Sequence, residues 1–581
     1  MKKTSKQILI FSLIFLITFV IRLWKINSIP SVISHDEIFY PTQAKTLAMS
    51  GRGLTGDWRP RSLTSEVELY AELPGVIMTP AALIFQNNPL MASKITHLLA
   101  ASGLVLVLSL ISYSFSKKTS FAIITALIAT FNPWLWQFSR MGFDSLLSLF
   151  FYFLGLYLLI ELKNWQKLLS FPALFLGFFQ YQGLKVVFLP LVFIAALVSF
   201  LKDKGKKNLQ QGKKQLLPIV TIILLSLLLF AGYLFQVKNQ PAGNRLNFLV
   251  FNDQQYIEQT VNLKRAQTLN NPLVETVFNK ASIIGLRFIE QYLNTLDLKQ
   301  WFFELEIVRN PFAVYQHGLF YVLDLFLIIL ALILIWQKKK DRPLGIFLTS
   351  TLFIAPLPAT IVSTGSWLVF RASLMIPIGI LLIAYSFYWL WEKAHKIIFY
   401  TLSVGYLIFV AYFFYIYFQQ YPLTGTRDQY FAEKIIAQYI KRQADQKIII
   451  IAPEPGFVFQ EILIHNNLIN KNNLEKINQA FKTETYQLEN FEVLGERCVP
   501  QDENNIIYMA HSNVRPCEGN DSPLNYNQIP SLLDSGGIYR VYQDKLCENY
   551  DLARFITIKE NVFNFKTMSD LDFCQNFIIH N

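Results

Sequence analysis

The chain has 581 residues, of which 53% are hydrophobic and only 16% are charged, a balance far more apolar than that of soluble globular proteins. This composition excludes an ordinary soluble enzyme and predicts that lipid surrounds most of the chain. The net charge of +12 does not indicate a nucleic-acid partner. The Lys residues stand between apolar runs, where they determine membrane topology, rather than on a basic face with base-stacking aromatic residues.

The N-terminal segment predicts a retained membrane anchor. The basic start MKKTSK precedes an apolar run at 8–24, which is long enough to cross a bilayer at about 1.5 Å per residue. No small-residue cleavage site follows the run. We therefore expect the segment to stay in the protein, with its N-terminus in the cytoplasm.

A first outer loop is expected at 25–88. The motif EIFYPTQAKTLAMSG within it predicts a short amphipathic helix that ends at Gly51, because glycine tolerates the left-handed conformation found after helix ends. The half-apolar piece at 73–85 is too short to span a bilayer and is expected to lie in the membrane interface.

Further apolar runs bring the expected total to about eleven spans, so the predicted fold is a mainly α, polytopic membrane protein. These runs lie at 91–115, 119–138, 143–161, 168–182, 186–201, 215–235, 318–336, 344–362, 372–391 and 397–418. With a cytoplasmic N-terminus, every loop that should face the cytoplasm is basic, as at 117–118, 163–167 and 337–342. The positive-inside rule then predicts a multi-pass protein of the cytoplasmic membrane whose C-terminal region lies outside.

The chain divides into an expected membrane module at 1–418, with a long outer loop at 236–316, and a soluble region at 419–581. The latter region contains a predicted helix at 428–441 and the predicted strands KIIIIAP, NNIIYMAH and GIYRVYQD, which indicate a small extracytoplasmic α/β domain.

All four cysteines lie in this C-terminal region, at Cys498, Cys517, Cys547 and Cys574. They lack the CxxC spacing of a zinc site, so disulfides in an oxidising compartment are expected. Their pairing is open at this point, and four unrelated buried thiols are the alternative.

Acidic residues just beyond the first span are the first candidates for chemistry. His35, Asp36 and Glu37 stand at membrane level, where an unpaired charge is costly and therefore marks function. The alternative is a solvated loop in which Asp36 caps the helix that starts at Glu37. We favour catalysis or metal binding, because these residues lie at the entrance of the membrane.

A second group of charged residues stands at the outer ends of later spans. Arg140 and Asp144 are four residues apart and share a helical face, as a structural ion pair would also do. Lys185, Arg371 and Arg309 are suited to hold a lipid-linked phosphate. Lys185 and Arg371 would alternatively be ordinary interfacial anchors.

These motifs resemble the membrane glycosyltransferases of the C-type fold (GT-C), in particular the group of protein O-mannosyltransferases and aminoarabinose–lipid A transferases. The resemblance rests on HDEIFYPTQAKTLAMSG after the first span and on NPWLWQFSRMGFDSLLSLFF at the fourth. Weaker similarities are YQGLKVVFLPL, YLNTLDLKQWFFELEIVRNPFAVYQHGLFY and FRASLMIPIGILL. Together they cover the membrane part in the order of the family.

The resemblance implies a GT-C fold and an inverting transfer of a sugar, mannose-like or another hexose or pentose, from a polyprenyl-phosphate donor. The acceptor would be a protein, lipid or glycan at the outer face. Asp36 would be the general base, Glu37 its neighbour in the donor or metal site, and Asp144 a second acidic contact. The residues expected to bind the substrates are His35, Tyr40, Arg140, Lys185, Arg309, His317 and Arg371.

The chemistry itself supports this assignment. Displacing a phosphate from an anomeric carbon needs a carboxylate near the acceptor nucleophile and positive charge near the departing phosphate. A divalent metal held by Asp36 and Glu37 is left open as a cofactor that would share the second task.

Three other functions compete with this one. A transporter or flippase would carry its charges at mid-membrane and show paired repeats, whereas the charges here cluster at the outer ends of spans. A polysaccharide polymerase or ligase would use arginines in a large outer loop, such as the one at 236–316. A non-catalytic envelope protein would leave the charged clusters at 35–37 and 140–144 without a role.

Overall fold

The computed structural model describes most of the chain. The described residues are 2–30, 34–67, 70–204, 209–238, 248–269, 271–304, 314, 317–362, 368–393, 396–425, 430–495, 497–499, 505–515, 517, 525–532, 536–552, 565 and 568–580. For residues 2–5, 35, 36, 203, 204, 209–215 and 368, only the backbone is described.

The N-terminal part consists of helices that turns and loops connect. Its helices are α1 (Lys2–Leu23), α2 (His35–Ser50), α3 (Pro74–Ile84), α4 (Pro89–Ser116), α5 (Thr119–Phe131), α6 (Pro133–Phe138), α7 (Asp144–Glu161), α8 (Ser170–Phe178), α9 (Phe188–Lys204) and α10 (Leu209–Val237). The long loop that follows contains α11 (Gln254–Ala266), α12 (Val274–Val277), α13 (Lys280–Thr295) and α14 (Leu298–Phe302). The remaining membrane helices are α15 (Val322–Ile335), α16 (Arg342–Ile354), α17 (Leu357–Thr360), α18 (Leu368–Arg371), α19 (Met375–Glu392), α20 (Lys396–Tyr415) and α21 (Tyr421–Thr424).

Within the described ranges, eight helical stretches are long and apolar enough to cross a membrane. The chain is therefore a multi-pass membrane protein, but the predicted count of about eleven spans is not confirmed. Two predicted runs contain shorter α-helices than expected. Pro133 starts a new helix after Asn132 and so divides the run at 119–138. The only α-helix within the run at 168–182 is the nine-residue α8. The helices α3, α5 and α15 are apolar but short.

Loops that were predicted to share a side of the membrane do meet. Glu161, at the end of α7, contacts Lys117 at 3.4 Å and also pairs with Lys202, and Lys118 lies 3.8 Å from Glu392. These residues lie in or next to loops that should face the cytoplasm: Lys117 and Lys118 lie in one, Glu161 ends the run before another, and Lys202 and Glu392 stand at the starts of two more. These contacts agree with the predicted alternation of sides along the chain, which stays a prediction, as does its orientation relative to the cytoplasm.

The C-terminal region forms the expected α/β domain. Its helices are α22 (Phe431–Arg442), α23 (Pro455–His465), α24 (Leu474–Thr483) and α25 (Asp570–Phe577), and its strands are β1 (Lys447–Ile451), β2 (Tyr486–Leu488), β3 (Phe491–Leu494), β4 (Ile506–His511), β5 (Tyr526–Pro530), β6 (Gly537–Tyr542) and β7 (Ile579–His580). The sheet order is β2-β3-β1-β4-β6-β5-β7. The central strand β1 runs parallel to β3 and β4, with Ile448 opposite both Phe491 and Ile507.

Continuous burial explains why β1 is central. Its residues 448–451 are all buried, as expected for a parallel strand covered on both faces. The helices α22 and α23 lie on the sheet with Ile435, Ile436 and Ile462 in its core.

Two disulfides close this domain, Cys498–Cys517 and Cys547–Cys574. The expectation of paired cysteines is confirmed, and the pairing that the sequence left open is now assigned. Cys547 and Cys574 are both buried in the domain core, so this second link belongs to the packed interior.

The domain packs onto the first loop of the membrane module. Ile38 of α2 is fully buried in the same hydrophobic cluster as the residues of α22 and α23. From α24, Phe481 packs against the cluster that contains Phe39 and Tyr40 of α2. We call the side of the membrane on which this domain lies the domain side. Helix α2 is thus shared by the membrane module and the C-terminal domain.

Titratable groups are buried where α2, α22 and α23 meet. Glu433 accepts a hydrogen bond of 2.9 Å from the hydroxyl of Tyr539, and Glu461 lies 2.9 Å from Nε2 of His465. Burial raises the pKa of Glu433 to about 7. Burial, together with the carboxyls of Glu433 and Glu37, raises the pKa of Glu461 well above its usual value.

His465 is shifted in the complementary direction. Burial lowers its pKa to about 3, and the Lys434 ammonium acts in the same sense. Both shifts favour the uncharged form of the group, because burial disfavours the charged carboxylate of Glu461 and the charged imidazolium of His465 alike.

The variant Glu433→Gln should change how stability depends on pH. Because the pKa of Glu433 is raised in the folded protein, its contribution is complete below the unfolded value near 4.5 and is lost as pH rises through about 7. The loss at high pH is on the order of 3 kcal/mol. A glutamine still accepts the Tyr539 hydrogen bond but does not ionise.

Thermal unfolding of the full chain in detergent checks this. The melting temperature of Glu433→Gln, relative to wild type, should be higher at pH 8 than at pH 5. A difference that is the same at both pH values contradicts the assignment.

Candidate active site

The start of α2 is fixed by its own capping residues. Ser34 is the N-cap, and Glu37 reaches back to accept hydrogen bonds of 3.0 Å from both the backbone N–H and the hydroxyl of Ser34, which is half of a capping box. The alternative that Asp36 caps this helix is wrong, because Ser34 holds that position. The predicted end is confirmed: Gly51, with φ of 69°, donates its N–H to Leu47.

Glu37 also connects α2 to the turn that precedes α7. Its second carboxylate oxygen accepts a hydrogen bond from the backbone N–H of Gly142. Both oxygens of this buried carboxylate are thus engaged by protein donors. Burial raises the pKa of Glu37, and the hydrogen bonds from Gly142 and Ser34 oppose that shift.

Arg140 holds the segment between α1 and α2. Its guanidinium donates hydrogen bonds of 2.8–3.1 Å to the carbonyl oxygens of Arg22, Trp24 and Ile29. The side chain is fully buried. A structural ion pair with Asp144 was one sequence interpretation of Arg140. The described hydrogen bonds of Arg140 instead go to this backbone.

Asp144 is the first residue of α7, where the helix dipole favours negative charge. Its Oδ2 accepts a hydrogen bond of 2.7 Å from the hydroxyl of Tyr40. The same hydroxyl accepts a hydrogen bond of 3.0 Å from the backbone N–H of Ala71. Two of the predicted residues, Tyr40 and Asp144, are therefore in direct contact although they are 104 positions apart.

Lys185 forms a buried ion pair with Glu72. Its Nζ lies 2.7 and 2.8 Å from the two carboxylate oxygens of Glu72, and 3.9 Å from the ring centre of Tyr233. Gln182 donates a further hydrogen bond of 3.0 Å to Glu72. Because Glu72 follows Ala71, the residues 71 and 72 connect the Tyr40–Asp144 contact to Lys185.

Sequence reasoning missed Glu72. The signal was present, since Glu72 is an acidic residue at membrane level between apolar neighbours in LYAELPG, the same criterion that selected Asp36.

Arg371 ends the short helix α18, which packs against the turn before α7. The rings of Phe370 and Phe143, the residues that precede Arg371 and Asp144, lie 4.5 Å apart. The indole N–H of Trp134 donates a hydrogen bond of 2.8 Å to the carbonyl of Val369. Arg371 and Asp144 thus follow two residues in van der Waals contact.

His317 is placed differently. Its Nδ1 lies 2.7 Å from the carbonyl oxygen of Gly318, and its ring meets Phe413 edge-on at 5.0 Å. None of its described contacts joins it to Asp144 or Lys185. Arg309 and the side chains of His35 and Asp36 lie outside what the structure describes.

A metal site was left open by the sequence. Among the described residues, no group of three or more His, Cys, Asp or Glu side chains is placed to hold a metal ion.

Comparison with known proteins gave structural similarities only. No family model matches the chain, and no curated protein matches it. ArnT from Cupriavidus metallidurans bound to undecaprenyl phosphate aligns with a TM-score of 0.46 at 9% identity, over 92% of this chain and 98% of that chain.

Other alignments are with an archaeal enzyme. The oligosaccharyltransferase AglB from Archaeoglobus fulgidus, in complex with an inhibitory peptide and a dolichol-phosphate, aligns with a TM-score of 0.42 at 11% identity, over 86% of this chain and 69% of that chain. In two other structures of the A. fulgidus oligosaccharyltransferase, the alignment spans less than two thirds of its length, 63% and 64%.

Because Lys185 and Glu72 form a buried ion pair, we expect removing one charge to destabilise the protein more than removing both. Lys185→Met leaves the Glu72 carboxylate buried without its cation and should cost about 3–5 kcal/mol. The double variant Lys185→Met with Glu72→Gln removes both charges and should recover a large part of this loss. Chemical unfolding in detergent of wild type, the single variant and the double variant measures these differences in the free energy of unfolding. Equal stability of the single and the double variant would show that the pair is not buried as described.

Proposed function

We propose that this chain is an inverting glycosyltransferase that uses a polyprenyl-phosphate-linked sugar and acts at the outer face of the cytoplasmic membrane. The observation that carries the proposal is the contact between Tyr40 and Asp144 on the domain side, next to the motif of Asp36 and Glu37. Asp36 stands four residues before Tyr40, one turn along α2, so the two positions share a face of the helix.

In this mechanism the carboxylate of Asp36 accepts the proton of an acceptor hydroxyl. The oxygen of that hydroxyl forms a bond to the anomeric carbon as the bond from this carbon to the phosphate oxygen breaks. The electron pair leaves on the phosphate, and the anomeric configuration inverts. Asp144, oriented by Tyr40, is the second acidic contact with the substrates.

Positive charge for the departing phosphate would come from Arg371 and Lys185. The Lys185 charge is already matched by Glu72 at 2.7 Å, so its attraction for a further anion is reduced. We therefore assign the phosphate chiefly to Arg371, and to Lys185 the task of holding the loop at 70–73 in place. Glu37 and Arg140 position α2 and the connector before it.

The outer location is supported by two independent features. The short loops predicted on the side opposite the C-terminal domain are all basic, as the positive-inside rule requires for an outer domain. The domain itself contains two disulfides, which persist in oxidising compartments. A lipid-linked donor brings its own activated sugar to this side.

Asp144→Asn should lower the rate of sugar transfer from a radiolabelled polyprenyl-phosphate-sugar pool by at least about 100-fold, the scale of a carboxylate that acts on the reacting groups. Tyr40→Phe should lower it by about 10-fold or more, because a hydrogen bond to a charged group is lost. Both proteins are to be compared with wild type at matched expression.

A matched pair of controls exists on the opposite side of the membrane. Tyr385 donates a hydrogen bond of 2.8 Å to Asp341, so Asp341→Asn and Tyr385→Phe make the same chemical changes away from the site. These variants should transfer sugar at the wild-type rate. If both pairs of variants behave alike, the Tyr40–Asp144 contact is not part of the active site.

A further inference from the structure

The long loop between α10 and α15 exposes an apolar stripe. On α13, the exposed fractions of Leu286, Ile289 and Leu293 are 61%, 57% and 60%. Their spacing of three and four residues places them on one face of the helix. Water is an unfavourable environment for such a stripe, since burying a single Leu or Ile side chain is worth about 1.5–3 kcal/mol.

The polar face of the same helix already has a partner within the loop. Arg287 pairs with Asp253 at 2.9 Å and lies 3.9 Å from the ring centre of Tyr256. Lys280 donates a hydrogen bond of 2.6 Å to Gln254. Helix α11 therefore covers the polar face of α13, and the apolar stripe points away from the loop.

The stripe continues the lipid-facing surface of the membrane helices. The hydroxyl of Tyr292 donates a hydrogen bond of 2.8 Å to the carbonyl of Phe353, and the two rings lie 5.9 Å apart. Phe353 stands near the end of α16, within a membrane-crossing stretch, and is 69% exposed. With Phe193 and Ile194 of α9 it lines an open apolar groove between the two helices. Tyr292 thus lies beside the end of α16, where the lipid-exposed surface of that helix ends.

We propose that α13 lies in the bilayer interface on the domain side, with Leu286, Ile289 and Leu293 inserted at the boundary of the acyl chains. Amphipathic helices bind membranes in this way when an apolar stripe faces the lipid and polar residues face away. The occupant of the stripe is the lipid surface itself, and neither a second copy of the chain nor a protein partner.

The charges of the loop indicate how the helix binds. The described residues 248–304 contain five basic residues, Lys264, Arg265, Lys280, Arg287 and Lys299, against six acidic residues, Asp253, Glu258, Glu275, Glu290, Asp297 and Glu304. With the two signs nearly balanced, attraction to anionic lipids contributes little, and apolar insertion is the driving force.

This placement has a consequence for the loop as a whole. At its N-terminal end the backbone N–H of Val250 donates a hydrogen bond of 2.9 Å to Ile361, and Leu249 pairs with Val362 in an isolated bridge. The loop is thus attached to the segment that leads towards Arg371 and, through α13, to the membrane surface.

Spin labels on single introduced cysteines test the proposal in the full chain in phospholipid nanodiscs. The four native cysteines are paired in disulfides, so labels react at the introduced site. Ile289→Cys and Leu293→Cys probe the stripe. Asn294→Cys, on the polar side of the same helix, is the matched control, and Phe353→Cys is the lipid-exposed reference.

Labels at 289 and 293 should be accessible to oxygen and protected from a water-soluble nickel chelate, as at 353. The label at 294 should show the reverse. This pattern should be the same in pure phosphatidylcholine and in discs with anionic lipid.

Nickel accessibility at 289 and 293 equal to that at 294 would place the stripe in water and overturn the proposal. Protection from both reagents would mean that protein covers the stripe, which also overturns it. If the labels at 289 and 293 are accessible to oxygen and protected from nickel only in discs with anionic lipid, that result would contradict apolar insertion.

Discussion

The rest of the candidate site depends on the charged groups that hold the connector between α1 and α2. The guanidinium of Arg140 binds the carbonyls of Arg22, Trp24 and Ile29, and the ammonium of Lys94 binds those of Ile26 at 2.8 Å and Pro30 at 3.4 Å. Buried carbonyl groups are costly when they lack partners. These two cations satisfy them and hold residues 22–30, from the end of α1 into the connector, in place.

Helix α2 contacts both the membrane module and the C-terminal domain. On one side of α2, Glu37 and Tyr40 reach Gly142 and Asp144. On another side, Ile38 is buried in the core cluster of the C-terminal domain. The soluble domain therefore packs directly behind the proposed catalytic residues. A change in how this domain docks would move the helix that carries them, which gives a physical reason for joining a soluble α/β domain to a membrane enzyme.

The sequence predicted the elements that local patterns determine. The end of α2 at Gly51, the buried strand β1 and the basic loops all follow from neighbouring residues. The pairing of Glu72 with Lys185, 113 residues away, and the backbone partners of Arg140, 111–118 residues away, depend on tertiary packing. For this reason the backbone partners of Arg140 were not predicted, and Glu72 was missed. Ser34 displaced Asp36 as N-cap because Glu37 favours a capping box that starts at Ser34.

The proposed role of Asp36 as the base in transfer from a lipid-linked sugar can be tested by an assay of that transfer. Purified wild type and Asp36→Asn, matched in melting temperature, are given a radiolabelled polyprenyl-phosphate sugar and their product is counted. Wild type should transfer or hydrolyse the sugar, and Asp36→Asn should do neither. A wild type that is inactive with every lipid-linked sugar, or an Asp36→Asn protein as active as wild type, would contradict it.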